Sequence, residues 1–172
     1  MTYEPRATAN LLLDLADELR LPLTHMALHK VAYYAHGWRL AASNVPLLTD
    51  EFEAWEHGPV LSTVYNAFKG AGREAIRGRA YRFDPVSQQR SIATAAFLME
   101  DRAFLRDIVK AYGRLDALTL SDMTHRRGGP WDLVWNAGGG RVTLGMRIKN
   151  EAIRSDFLEQ PIRDRQQEAK AS

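Results

Sequence analysis

Phe52-Glu53-Ala54-Trp55-Glu56-His57-Gly58-Pro59-Val60, running on to Tyr65, joins two kinds of local pattern. Up to Trp55, apolar and acidic residues alternate, as in an extended segment buried on one side. Gly58-Pro59 stops the extension. Proline at the first helical position loses no needed donor and brings a helical φ, so a helix is expected from Pro59 to about Lys69. Leu61, Val64, Tyr65 and Phe68 then form its apolar stripe. The stretch reads as an extended arm turned sharply into a helix, with Trp55, His57 and Pro59 at the corner. Such a corner either packs the core or offers Trp55 and His57 to a partner.

Around this corner the pattern is helical. A first helix is expected over Pro5–Leu19, with Leu12, Leu15, Ala16 and Leu19 inward and Asp14, Asp17 and Glu18 outward. Thr24 suits the N-cap of a second helix, His25 to about Ser43, and Leu23 with Leu28 fits a hydrophobic staple. That helix is apolar around most of its circumference, which marks it as central. Later helices are expected from Asp101 to Tyr112, from Asp116 to near His125, from Pro130 to Ala137, and from Asn150 to Leu158. Gly113 and Gly138-Gly139-Gly140 act as stops. Arg73 to Arg90 reads as an arginine-rich segment with a short strand near Arg79–Phe83. Ser91 to Phe97 fits strand or helix. The fold class is mainly α: one compact domain over residues 1–159, six or seven helices, one to three very short strands, and a polar, frayed tail over 160–172.

Bulk properties narrow the function. A chain of 172 residues is the size of one domain. It has no cysteine, which removes disulfides, thiolate catalysis and cysteine-based zinc sites and fits a reducing, cytoplasmic setting. No apolar run reaches the roughly 20 residues of a membrane span. The net charge of +2 marks no nucleic-acid binder, because that signal lies in clustered charge.

His25, His29 and His36 fall on one narrow line of the second helix, placed by spacing at the border of core and solvent. His25 and His29 have zinc-compatible spacing, but Met26 stands where a zincin carries Glu, and His36 lies too far along the axis to join. No metal and no cofactor are expected. Asp122 and His125 lie three apart, yet Ser121 faces another side of the helix and no nucleophile elbow is present. No P-loop or dinucleotide fingerprint occurs. The arginine segment, interleaved with Tyr81 and Phe83, offers charge and stacking to single-stranded nucleic acid, or a docking face to an acidic protein.

Three stretches in order carry a resemblance: Lys30-Val31-Ala32-Tyr33-Tyr34-Ala35-His36-Gly37; Phe52 through Val60 with Tyr65; and Leu120-Ser121-Asp122-Met123-Thr124-His125 followed by Gly129-Pro130-Trp131. With these the chain resembles the Panacea antitoxin domain family, which includes SocA-like and GepA-like proteins, from Leu11 to about Phe157. The resemblance implies a binding protein and not an enzyme: an antitoxin that neutralises a cognate protein toxin, held directly or handed to an ATP-dependent protease. Aromatic residues and arginine dominate interface energetics. On that ground Trp55, His57, Tyr65, His125, Arg126, Arg127 and Trp131, near the two Gly/Pro corners, are the expected partner contacts. The alternatives are a DNA-binding regulator of the same operon and, behind it, a small hydrolase.

Overall fold

The computed structural model describes residues 1–141 and 146–171. Seven helices and five short strands appear among them: α1 Pro5–Leu19, α2 His25–Ser43, β1 Phe52–Trp55, β2 Gly58–Val60, α3 Ser62–Phe68, β3 Tyr81–Asp84, β4 Gln89–Ile92, α4 Met99–Tyr112, α5 Ala117–Thr124, α6 Pro130–Ala137, β5 Arg147–Ile148 and α7 Asn150–Ala171. The fold is mainly α, with more strands than the one to three expected. Each additional strand is only two to four residues long, too short for a period to register in sequence.

α2 is the axis. It packs against α1, α3, α4, α5, α7 and β2, as its wide apolar arc requires. Thr24 caps it by accepting from the Ala27 N–H at 3.3 Å. Gly37 lets α7 approach: a Cβ at that position would lie only 2.3 Å from the Phe157 ring. Tyr33, Tyr34 and Trp38 each meet Phe157 edge-on.

β1 pairs antiparallel with β2 on one side and β5 on the other. The Trp55–Gly58 pairing leaves Glu56-His57 as a two-residue turn. Here the expectation fails. Pro59 lies in β2, and α3 begins at Ser62 behind Leu61. The reason is positional. Pro59 faces Ala54 at a site whose backbone groups point away from the partner strand. Ala54 there donates outward to the Met146 carbonyl at 2.8 Å. The missing proline N–H therefore costs no ladder bond on this edge strand.

Two buried polar networks fix the remaining elements. The Tyr3 hydroxyl donates to Asp101 at 2.6 Å and accepts from the Leu98 N–H at 3.1 Å, while Arg39 pairs with the same carboxylate. The N-terminal segment, α2 and α4 meet there. Asn10 of α1 is the second: its amide donates to the carbonyls of Ala80 and Ala93 at 2.9 and 2.8 Å and accepts from the Ala80 N–H at 2.7 Å. This roots the β3–β4 hairpin, all of whose strand residues are exposed. Asp14 and Asp17 face outward as expected, and Arg79 bridges both.

Two further expectations change. His25, His29 and His36 are 8%, 3% and 0% exposed, so they lie inside the core boundary; elements from across the chain cover the face that helical spacing alone leaves open. The last helix does not stop near Leu158 but runs through Pro161 to Ala171. Proline removes one helical bond without forbidding continuation, and Gln166-Gln167-Glu168-Ala169 favours helix. Ser172 lies outside the described residues.

Gly37→Ala should lower stability by about 1–3 kcal/mol, because the added methyl must displace the Phe157 ring. Chemical denaturation checks this, with a reduced midpoint at an unchanged m-value as the expected result.

Candidate partner-binding site at a clamped turn

The β1–β2 turn is held from below by side chains of three helices. Trp131 Nε1 of α6 donates to the Trp55 carbonyl at 2.7 Å. His125 Nε2 lies 3.1 Å from the Glu56 carbonyl, and Ser121 Oγ donates to the His57 carbonyl at 2.9 Å, both at the α5 end. Lys30 Nζ of α2 donates to the Pro59 carbonyl at 3.0 Å. Four backbone acceptors of one tight turn thus find side-chain donors, which ties the turn to the helices beneath it. His125 Nδ1 also sits 2.6 Å from the Ser121 carbonyl.

Gly58 is required at this turn. Its φ is +103°, a region that side chains avoid. A Cβ there would lie 2.6 Å from Thr124 Oγ1 and 2.9 Å from Lys30 Nζ. The backbone can descend onto the lysine only where no side chain intervenes.

Lys30 is 1% exposed, and the Pro59 carbonyl is its hydrogen-bond partner among the described residues. Burial brings its amine down to about 7, because an ammonium without a carboxylate is costly to desolvate. Next to it, the Leu61 N–H donates to His29 Nδ1 at 3.3 Å, and His29 Nε2 lies 3.2 Å from His25 Nε2. The backbone donor fixes the tautomers. His29 carries its proton on Nε2 and gives it to His25 Nε2, which leaves His25 protonated at Nδ1. Burial, then the Lys30 charge, lowers the proton affinity of both rings.

A cavity of about 310 Å³ opens beside the turn, lined by His25, Lys30, Trp55, His57, Val60 and Tyr65 among others. Trp55 packs on Tyr65 at 4.8 Å between ring centroids, and Tyr65 on His25 at 5.1 Å. A second cleft, about 360 Å³, lies across α5 between Tyr33, Met123, Arg126 and Phe157.

The seven expected contact residues separate into three sets. Trp55, His57 and Tyr65 come together around the first cavity, with His57 exposed. His125 and Trp131 lie beneath the turn, their rings 3.9 Å apart; Trp131 is 6% exposed, so it holds the turn and presents almost no surface. Arg126 and Arg127 are exposed on the loop after α5, where Arg126 pairs with Asp156. Sequence reasoning missed Lys30 as a site residue. Its signal was a charge inside an otherwise apolar arc of α2. Ser121, expected on another side of the helix, lies on the His125 side, its Oγ 3.4 Å from His125 Nδ1, and acts as a clamp by donating to the His57 carbonyl. The described residues hold no group of three or more His, Cys, Asp or Glu side chains arranged to hold a metal ion.

The family model for the SocA-like antitoxin, Panacea domain, matches residues 28–132. The chain is 36% identical to Antitoxin SocA from Caulobacter vibrioides (strain NA1000 / CB15N) over 161 residues, covering 94% of this chain and 86% of that protein. No solved structure matches the chain.

Gly58→Ala should destabilise the protein by about 1–3 kcal/mol through backbone strain and contact with Lys30 and Thr124; thermal melts measure it. Lys30 makes a prediction of opposite character. Its amine titrates near 7 in the folded chain and near ~10.4 unfolded. Between those values the unfolded chain binds the extra proton, so stability rises with pH, by at most about 1.4 kcal/mol per pH unit. Denaturation from pH 7 to 9.5 should show this rise in the wild type and its loss in Lys30→Met.

Proposed function

The chain belongs to the SocA-like antitoxin family defined by the Panacea domain, and we propose that it neutralises a cognate protein toxin by gripping it at the clamped β1–β2 turn. The observation that carries this reading is the capture of four turn carbonyls by Trp131, His125, Ser121 and Lys30. A turn tied from below displays Trp55, Glu56 and His57 in a fixed arrangement. A pre-organised surface loses little conformational freedom when a partner docks. Trp55 and Tyr65 supply aromatic anchors beside it, and Arg127 is exposed on the loop after α5. No helix among the described residues is long and apolar enough to cross a membrane.

The finer choice is between holding the toxin and delivering it to an ATP-dependent protease. Both begin with the same grip, and the toxin's lifetime distinguishes them. The DNA-binding reading is less well supported. The arginine segment folds as the exposed β3–β4 hairpin, but Arg79 is engaged by Asp14 and Asp17, and Arg90 lies over the Tyr81 ring at 5.2 Å. Arg79 is thus held by carboxylates and is not offered to a phosphate backbone.

Co-expression with the adjacent reading frame tests the proposal. That frame should arrest growth alone and not beside the wild-type chain. Trp55→Ala and Arg127→Ala should weaken rescue with melting temperatures near wild type. Trp131→Ala should instead cost about 3–5 kcal/mol of stability. An unchanged toxin half-life during rescue marks sequestration, and a shortened one marks delivery. A harmless neighbour, or full rescue by both surface variants, would overturn the reading.

A further inference from the structure

The cavity beside the turn has an unusual complement of polar groups. Lys30 at 1% exposure uses one of its three possible N–H bonds, to the Pro59 carbonyl. His25, 8% exposed, receives the His29 proton at Nε2, so its own proton sits on Nδ1, for which the described residues supply no acceptor. The Tyr65 hydroxyl likewise has no hydrogen-bond partner among the described residues, while its ring packs on Trp55 and His25. These three groups line one space of about 310 Å³. Each has a hydrogen to give, and the walls between them are aromatic or aliphatic. The His25 and Tyr65 donors are not sealed off as orphans; they are open to solvent, so a ligand with acceptors of its own would take the place of water there.

We propose that this cavity binds a carboxylate carried on a flat apolar body, with the acid group at Lys30 and the body laid against the Trp55–Tyr65 pair. The chemistry is specific in sign. A carboxylate has only acceptors, matching an amine and two further donors. A cationic head would meet Lys30 unfavourably. The one acid at the cavity is Glu56, which is exposed at the turn, where water screens it. The volume accommodates a phenyl or indole ring with a short acid arm.

Binding carries a proton signature. The free-state amine is held down to about 7 by burial. A bound carboxylate restores the counter-charge that favours the ammonium, so near pH 8 the complex takes up a proton. Other titratable groups around the amine are His25 and His29 on α2, Glu56 and His57 on the turn, Tyr65 on α3 and His125 at the end of α5. The Lys30 variant separates their contribution from that of the amine. The acid has two possible sources: a free aromatic acid, or the C-terminal carboxylate of a peptide ending in an aromatic residue.

The experiment uses purified full-length protein with no toxin present, so its outcome is independent of whether the antitoxin reading stands. Titration calorimetry and tryptophan fluorescence follow binding of 3-phenylpropionate, its neutral analogue 3-phenylpropanol, and short peptides ending in phenylalanine as free acid or amide. The acid should bind about tenfold or more tightly than the alcohol. It should take up a proton at pH 8, seen as a heat that varies with buffer ionisation enthalpy. Lys30→Met should abolish the preference and the uptake. Tyr65→Phe, which keeps the ring, should weaken the acid severalfold and covers the case in which the lysine variant fails to fold. Free-acid peptide binding above the small acid points to a chain terminus, and the reverse to a metabolite-sized acid; either supports the site. Equal binding of acid and alcohol, no binding of any probe, or a preference that survives in folded Lys30→Met would overturn it.

Discussion

A lysine amine shut away from water under a tight backbone turn sets the terms for its neighbours. An unpaired ammonium in a protein interior is costly, and burial answers by lowering its proton affinity. The Pro59 carbonyl takes one of its hydrogens. For that carbonyl to point at Lys30, Pro59 must sit where strand backbone faces away from its partner, and a proline is harmless at such a site. For the turn to come close enough, the residue before it must lack a side chain, and Gly58 does. Lysine on α2 and the glycine–proline pair on β2 are one solution to one problem.

An isolated two-stranded hairpin is marginal in water. This chain contains two and treats them differently. β1–β2 is tied at its tip, by Trp131, His125, Ser121 and Lys30, and again along β1 by β5. β3–β4 is tied at its root, by Asn10, and its tip stands in solvent. Val86 at that tip is 92% exposed. The first arrangement yields a fixed surface suited to recognition. The second leaves backbone edges open, with Arg90 over Tyr81 covering part of one face.

Much of the helical frame was readable from residues. Pro5 and Pro130 open helices, and Thr24 and Asp116 accept from backbone N–H groups just where capping chemistry places them. The apolar arc of α2 announced its central place. The same rule misplaced Pro59, because a proline at a helix start and one on a strand edge satisfy the same local requirement of no lost hydrogen bond. The polar composition beyond Leu158 likewise read as a frayed tail, whereas α7 continues through Pro161 to Ala171. At the candidate site, Trp55, His57 and Tyr65 were marked by residue type near a Gly/Pro corner. Trp131 was marked by the same rule and turned out to lie beneath the turn, since type and proximity say nothing of which side of a corner a ring occupies.

Local order alone was enough for helix type, cap position and the mainly α class, because capping and periodicity act within a few residues. It was also enough for the family likeness, since that rests on which residues follow one another. The rest required chain segments distant in sequence to meet. His25, His29 and His36 share a helix line in any drawing of α2, but their burial comes from elements as far away as α3 and Asn150. The environment of Lys30 arises only when α2, the turn and α5 converge, and a side chain's desolvation is a property of what surrounds it, which no neighbouring residue in the sequence encodes.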